Sequence, residues 1–240
     1  MNLPPPTAYG WLMLAGIVVS VFLWSRLARR DERLLLIYIA ALAGAFLGAK
    51  LVYLGAEGWL HWHEPKRWLI LATGKSILGG LLGGYASVEL AKRWLKYPGV
   101  TGDWFALVAP VGILLGRMGC VLHGCCLGRV CAPSWWTVND AHGIARWPAA
   151  QLELCFNAFA LAGLLCLCAR KVLPGQLFHL YLIAYGGFRF IHEFWRETPS
   201  VLGPFSGYQV AALGVSGLGL AGFVLRQRSL ARVSEAKPVL

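Results

Sequence analysis

Residues 104–122 read WFALVAPVGILLGRMGCVL, an apolar run interrupted by a single charge, Arg117. A helix needs about 20 apolar residues to cross the hydrocarbon core of a bilayer, and this run is close to that length. An arginine at membrane depth costs about 2.5–3.5 kcal/mol on insertion scales, so it needs a partner. A lipid phosphate is one candidate, because the guanidinium fork matches its oxygens. A carboxylate that only fastens two helices together is the other.

Working outward from this run, six more segments read as hydrophobic helices: Trp11–Ser25, Leu34–Leu54, Trp68–Leu90, Ala149–Leu167, Gln176–Ile191 and Gly207–Leu225. The expected fold is all-α, a polytopic membrane protein with about seven transmembrane helices in one domain over residues 1–240. Composition agrees: 58% of residues are hydrophobic and 14% are charged, against roughly 25% charged in soluble domains. The segment Trp68–Leu90 carries Gly74, Gly79, Gly80, Gly83 and Gly84. It reads either as a broken or re-entrant segment, which a membrane tolerates only where backbone is buried, or as a helix packed closely through small residues.

The net charge of +11 does not point to nucleic acid. The basic residues cluster between apolar runs and form no single stripe. Arg26, Arg29, Arg30 and Arg33 follow the first segment, Lys92, Arg93 and Lys96 the third, Arg170 and Lys171 the fifth, and Arg226, Arg228, Arg232 and Lys237 the last. The remaining loops hold fewer. The positive-inside rule then places the N-terminus outside and the C-terminus in the cytoplasm. No basic n-region precedes the first run, so it is expected to remain as a helix and not be cleaved as a signal peptide.

Four further charged groups accompany Arg117. Arg189 and Glu193 are four residues apart and share one helical face, which Gly186 could also join. Arg196 lies one turn beyond His192. Snorkelling and internal pairing is the plain reading of this set; two arginines from separate helices also suit a shared anion. Glu153 opens the fifth segment and suits either an orienting partner or a general base, or an ion pair with Arg117 or Arg189. The chain has seven cysteines. Cys155, Cys166 and Cys168 lie in an apolar run and suit packing. Cys120, Cys125, Cys126 and Cys131, with His123 between, suggest thiol or redox chemistry, with Cys125 or Cys126 bridging to Cys131 on an oxidising face. The spacing lacks a second Cys-x-x-Cys knuckle, so no metal site is assigned. Gly74-Lys75-Ser76 matches only the end of a phosphate-binding loop, since Leu69 replaces its first glycine. Most of the tryptophans read as interface anchors near helix ends.

Five separated segments, in order, resemble the prolipoprotein diacylglyceryl transferase family. Tyr9-Gly10-Trp11-Leu12-Met13 resembles its opening helix and Gly74–Gly84 its glycine-rich segment. Residues Gly116–Arg129 match the frame Gly-Arg-x-Gly-x-x-x-x-Gly-x-x-x-Gly-Arg. Pro148–Glu153 and the run Arg189 to Arg196, followed by Gln209 at a helix start, resemble two more. The resemblance implies transfer of a diacylglyceryl group from phosphatidylglycerol to the lipobox cysteine of a prolipoprotein signal peptide, with release of glycerol phosphate, in the bacterial cytoplasmic (inner) membrane. It implies no cofactor and no nucleic acid; its other partners are membrane lipids. It further implies that Arg117 and Arg189 hold the lipid phosphate, joined by Arg196, and that Glu153 and Glu193 orient those arginines. Tyr9 would line the headgroup pocket, and Gly128 would leave room beside it.

The sequence departs from that family at the thiol-activating half of the site. Cys120 and His123 stand where the family has asparagines, Cys125 where it has glutamate, and Leu78 where it has a histidine. If that histidine is the base, another group must serve; His123 is the first expectation, then His192 and Glu153. Two alternatives therefore stand beside the transferase reading: a diverged membrane lipid transferase with another donor or acceptor, and a thiol-redox or metal-handling membrane protein.

Overall fold

The computed structural model describes residues 7–29 and 31–235. Arg30 and Lys237 of the basic loops lie outside the described residues, and so do the side chains of Tyr9 and Arg232. The chain folds into α1 (Thr7–Ala28), α2 (Arg33–Ala56), α3 (Arg67–Thr73), α4 (Ile77–Trp94), α5 (Gly102–His123), α6 (Ala149–Ala169), α7 (Leu177–His192) and α8 (Gly207–Glu235). Two short hairpins join helices: β1 (Val138–Asn139) with β2 (Ala145–Arg146), and β3 (Ser200–Leu202) with β4 (Phe205–Ser206), both antiparallel.

The all-α expectation holds: the chain is mostly helical with little sheet. Among the described residues, α2, α5, α6 and Gly207–Ser229 of α8 are long and apolar enough to cross a bilayer, and the bent pair α3–α4 makes a fifth if it is one span. Helix α7 has 16 residues. At 1.5 Å per residue that is about 24 Å, short of the ~30 Å hydrocarbon core. Apolar side chains cover the outside of the helices: Phe46 is 63% exposed, Leu51 59% and Phe159 79%. An apolar exterior of this extent suits lipid and not water.

Both readings of the glycine-rich segment are realised. It breaks at residues 74–76, where α3 and α4 meet at 55°, and α4 packs on α2 through glycines. A Cβ on Gly48 would lie 2.8 Å from the Gly83 Cα, and Cβ atoms on Gly44, Gly79 and Gly83 would likewise run into the opposing backbone. Only hydrogen fits between helices this close. At the break, Lys50 of α2 donates to the carbonyls of Leu71, Ala72 and Gly74 at 2.5, 2.6 and 2.8 Å, which are among those a helix end leaves without partners. The Ser76 N–H donates to the Ala49 carbonyl at 3.1 Å. The break is thus satisfied by α2, as backbone at membrane depth requires.

The core lies between α7, α8, α5 and α4 and includes Leu78, Ala106, Leu182, Tyr185, Ala212 and Val215. Gly186 does not join the charged face of α7. It lies against α8, where a Cβ would meet the Ala212 carbonyl at 2.7 Å. Helix α8 begins in a reciprocal capping box: the Gln209 N–H donates to Ser206 Oγ at 3.2 Å, and the Ser206 N–H to Gln209 Oε1 at 2.9 Å. This fixes the helix that backs α7.

Candidate active site

Four-residue spacing along two helices assembles the site. On α7, Tyr181, Tyr185 and Arg189 fall on one face, which Glu193 continues in the 3-10 turn after the helix; on α6, Glu153 and Asn157 share a face. Glu153 is fully buried. Its Oε2 lies 2.8 Å from Arg117 Nη2 of α5 and 3.3 Å from Arg189 Nη1 of α7, and its Oε1 accepts from the Tyr185 hydroxyl at 2.7 Å. One carboxylate therefore joins three helices. Asn157 supports it from below, donating to the Glu153 carbonyl at 2.8 Å and accepting from the Tyr181 hydroxyl at 2.7 Å. Arg189 Nη2 continues to Glu193 Oε2 at 2.8 Å, and Arg196 Nε approaches the same oxygen at 3.7 Å.

Three guanidiniums thus face two carboxylates, leaving one positive charge uncompensated. Several polar atoms in this cluster are buried with no partner among the described residues: Nε of Arg117, Nε of Arg189, Nε and Nη1 of Arg196, and Oε1 of Glu193. Buried donors are normally paired, and the excess is of donors. Arg117, Arg189 and Arg196 line one side of a cavity of about 1890 Å³, which also touches Tyr53, Tyr85 and Tyr208. Its size exceeds that of an ordinary small-molecule pocket, its walls are largely apolar, and its cationic end is chemically a receptor for an anion carrying long apolar chains.

The loop over residues 124–148 is tied to the chain beside Arg196: Arg129 Nε donates to the Arg196 carbonyl at 3.0 Å. The Gly128 N–H donates to the Trp147 carbonyl, the Trp147 N–H to the Arg129 carbonyl and the Arg129 N–H to the Trp195 carbonyl, each at 2.9 Å. Trp147 stacks on Trp195 with ring centroids 5.2 Å apart. Gly128 leaves room, but for these groups: a Cβ there would lie 2.6 Å from the Trp195 carbonyl and 2.7 Å from Trp147 Cβ. Arg146 ties the hairpin together, 2.8 Å from Asp140 and 2.9 Å from Glu197. The Arg146 guanidinium, followed by the N–H groups of Ile144 and His142, holds the Asp140 carboxyl below its ordinary pKa.

The expected site residues divide into groups. Arg117, Glu153, Arg189, Glu193 and Arg196 converge. His123 ends α5, is exposed and does not line the cavity. His192 is buried behind Arg189, its Nδ1 3.4 Å from Arg189 Nη1. Leu78 is packed in the core at 1% exposure. The side chain of Tyr9 lies outside the described residues. All seven cysteines are free thiols. Cys120, Cys125 and Cys126 bring their sulfurs within 4.8 Å of one another, without Cys131. Sequence reasoning missed Tyr181, Tyr185 and Asn157, although the i, i+4 spacings Tyr181–Tyr185–Arg189 and Glu153–Asn157 carried the signal.

Comparison with known proteins identifies the family. The family model for prolipoprotein diacylglyceryl transferase matches residues 5–225. A phosphatidylglycerol–prolipoprotein diacylglyceryl transferase of Geobacter sulfurreducens is 32% identical over 237 residues, covering 92% of this chain and 90% of that protein. One from Cupriavidus pinatubonensis is 32% identical over 261 residues, covering 96% and 91%, and one from Erwinia tasmaniensis is 28% identical over 268 residues. With the matched region enclosing every member of the arginine–glutamate cluster, the chain belongs to the prolipoprotein diacylglyceryl transferase family, multi-pass membrane transferases.

Proposed function

We propose that this protein transfers the diacylglyceryl group of phosphatidylglycerol to the lipobox cysteine thiol of prolipoproteins. The acceptor sulfur attacks the glyceryl carbon, the carbon–oxygen bond to phosphate breaks, and the electron pair leaves on the phosphate oxygen of glycerol phosphate. The observation that carries this reading is the cluster of Arg117, Arg189 and Arg196 around Glu153 and Glu193, with one uncompensated positive charge, at the polar end of a large apolar cavity. The donor is a phosphodiester monoanion and the leaving group a phosphomonoester that gains a second negative charge. Donors aimed at that charge bind the transition state more strongly than the ground state. Arg117, Arg189 and Arg196 hold the phosphate in this reading, and Glu153 and Glu193 position them. Residues 1–240 act as one domain in the bacterial cytoplasmic (inner) membrane, with seven spans, the N-terminus outside and the C-terminus in the cytoplasm.

The test is transfer of radiolabelled diacylglyceryl from phosphatidylglycerol to a lipobox peptide by the reconstituted chain. Arg117→Ala and Arg189→Ala are expected to abolish transfer. Unaltered transfer by both variants overturns the site. Rescue of a strain depleted of its own diacylglyceryl transferase is the matching test in cells; turnover of lipid without rescue favours another acceptor, the reading that the replacement of histidine by Leu78 keeps open.

A further inference from the structure

The transferase reading needs a group that activates the acceptor thiol. Leu78 is apolar and buried, His123 is exposed and does not line the cavity, His192 is buried beside Arg189, and Glu153 is held in two ion pairs. What does stand beside the phosphate-holding arginines is sulfur. Cys120 Sγ lies 4.0 Å from Arg117 Nη1, and Cys120 and Cys126 line the same cavity as Arg117, Arg189 and Arg196.

The local fold gathers three thiols there. Helix α5 ends in a Schellman motif: Gly124 is left-handed at φ 68°, the Cys125 N–H donates to the Cys120 carbonyl at 3.1 Å, and the Gly124 N–H to the Val121 carbonyl at 3.3 Å. Cys126 follows at φ 60°, a left-handed conformation that costs a non-glycine residue about 1–2 kcal/mol. The two left-handed residues turn the chain back, so Cys125 and Cys126 return over the last turn that carries Cys120. Strain retained at such a position is common where it serves a site.

We propose that Cys120, Cys125 and Cys126 bind a zinc ion whose fourth position takes the sulfur of the acceptor cysteine. This rests on the transferase reading for the identity of the fourth ligand, but not for the metal site itself. Zinc–sulfur bonds of about 2.3 Å in a tetrahedron separate ligand sulfurs by about 3.8 Å. Cys125 and Cys126 sulfurs are 3.7 Å apart, and all three lie within 4.8 Å, so closure onto a metal needs shifts of an ångström or less. Three protein ligands with one open position is the pattern of catalytic zinc, not of a closed structural site. Three thiolates and Zn²⁺ carry one net negative charge, beside the cationic end of the cavity. On coordination the acceptor thiol gives its proton to water, as a metal-bound thiol does. Its sulfur then attacks the glyceryl carbon held by the arginines. The resulting thioether is neutral, a weaker ligand, and leaves the metal. No electrons are gained or lost by any group beyond the carbon–oxygen bond that breaks and the carbon–sulfur bond that forms.

The test uses the full chain, purified under reducing conditions, reconstituted in nanodiscs and stripped with chelator. Titration with Co²⁺ alone is expected to give one equivalent bound per chain with a thiolate-to-cobalt charge-transfer band, displaced by Zn²⁺. Cys125→Ser and Cys126→Ser are expected to lose the band while keeping the thermal midpoint, and Cys155→Ser to keep it. In the transfer assay, the stripped wild type is expected to lose at least tenfold in rate and regain it with Zn²⁺. Arg117→Ala should bind cobalt normally yet fail to transfer. No charge-transfer band, a band that survives both serine changes, or transfer at full rate without metal overturns the proposal. Cobalt held by the thiols with no transfer from any metal-loaded wild type overturns the transferase reading and leaves the metal site standing.

Discussion

Arg117 of α5 and Glu153 of α6 meet at 2.8 Å, with the carboxylate fully buried. Because Arg189 approaches the same oxygen at 3.3 Å, this carboxylate holds two cations in position to face a third charge, that of the substrate. Under the proposed function Glu153 is a positioning residue, and the arginines it holds are the groups that would contact the phosphate.

Replacing Glu153 by Gln keeps the shape and removes the charge. Two buried guanidiniums then lose their shared partner, which in comparable buried pairs costs about 3–5 kcal/mol. The Glu153→Gln protein is expected to unfold at a markedly lower temperature in detergent and to lose transfer. Added phosphatidylglycerol should recover part of the lost thermal midpoint, since its phosphate restores an anion to the cluster. A midpoint equal to wild type removes Glu153 from its organising place.

Arg196 Nε and Nη1 are both buried without a hydrogen-bond partner among the described residues, Nε lying 3.7 Å from Glu193 Oε2. A hydrogen bond to a charged group contributes about 1.5–3 kcal/mol, and each 1.4 kcal/mol is about tenfold. Arg196→Ala is therefore expected to lower kcat/KM for phosphatidylglycerol about 10- to 100-fold with little change in thermal midpoint. Steady-state kinetics over a range of lipid mole fractions, with a melting curve beside it, checks both halves.

Gly83 faces the Gly44 carbonyl across the α2–α4 contact so closely that no Cβ fits. Gly83→Leu is expected to pry the two helices apart at a cost of about 1–3 kcal/mol or more. Gly163 of α6 has nothing within 4 Å of a Cβ, so Gly163→Ala should be neutral or slightly stabilising. The yield of monodisperse protein on size exclusion and its thermal midpoint separate the two.

The Asp140–Arg146 pair predicts a pH dependence for the loop over residues 124–148. The Asp140 carboxyl is held below its ordinary pKa first by the Arg146 side chain and then by backbone N–H groups. A lowered folded-state value means the ionised form is favoured by folding. The stabilisation is complete above the unfolded-state pKa of about 3.9, and it is lost as pH falls through the folded-state value. Melting curves between neutral pH and pH 3 should show the advantage of wild type over Asp140→Asn shrinking on acidification. An advantage that is constant over that range removes the pair from the loop's stability.

Helices were legible because their signal is local. The run at 104–122 became α5 over Gly102–His123, and the other apolar runs became helices with ends shifted by a few residues, except α8, which continues past Leu225 to Glu235. The break at Gly74 was open in the sequence because glycines serve both a kink and a close contact; here they serve both, and Lys50 supplies the hydrogen bonds that settle it. The number of crossings was less legible: among the described residues four helices, or five with α3–α4 as one span, are long and apolar enough by length and composition, and α7 is as short as the run Gln176–Ile191 that anticipated it, at 16 residues.

The site was legible as residue types and not as contacts. By itself the sequence determined that charges at 117, 153, 189 and 193 sit inside apolar helices, where an unpaired charge is too costly to be incidental. Only the tertiary structure decided who pairs with whom: that Glu153 takes both arginines at once, that Tyr185 completes it, that His123 stays outside the cavity, and that Cys131 stays apart while Cys120, Cys125 and Cys126 converge. The reason is that burial cost depends on one residue and its segment, whereas pairing depends on distances between helices far apart in the chain. A left-handed turn after α5, invisible in residue spacing, brings three sulfurs to one point.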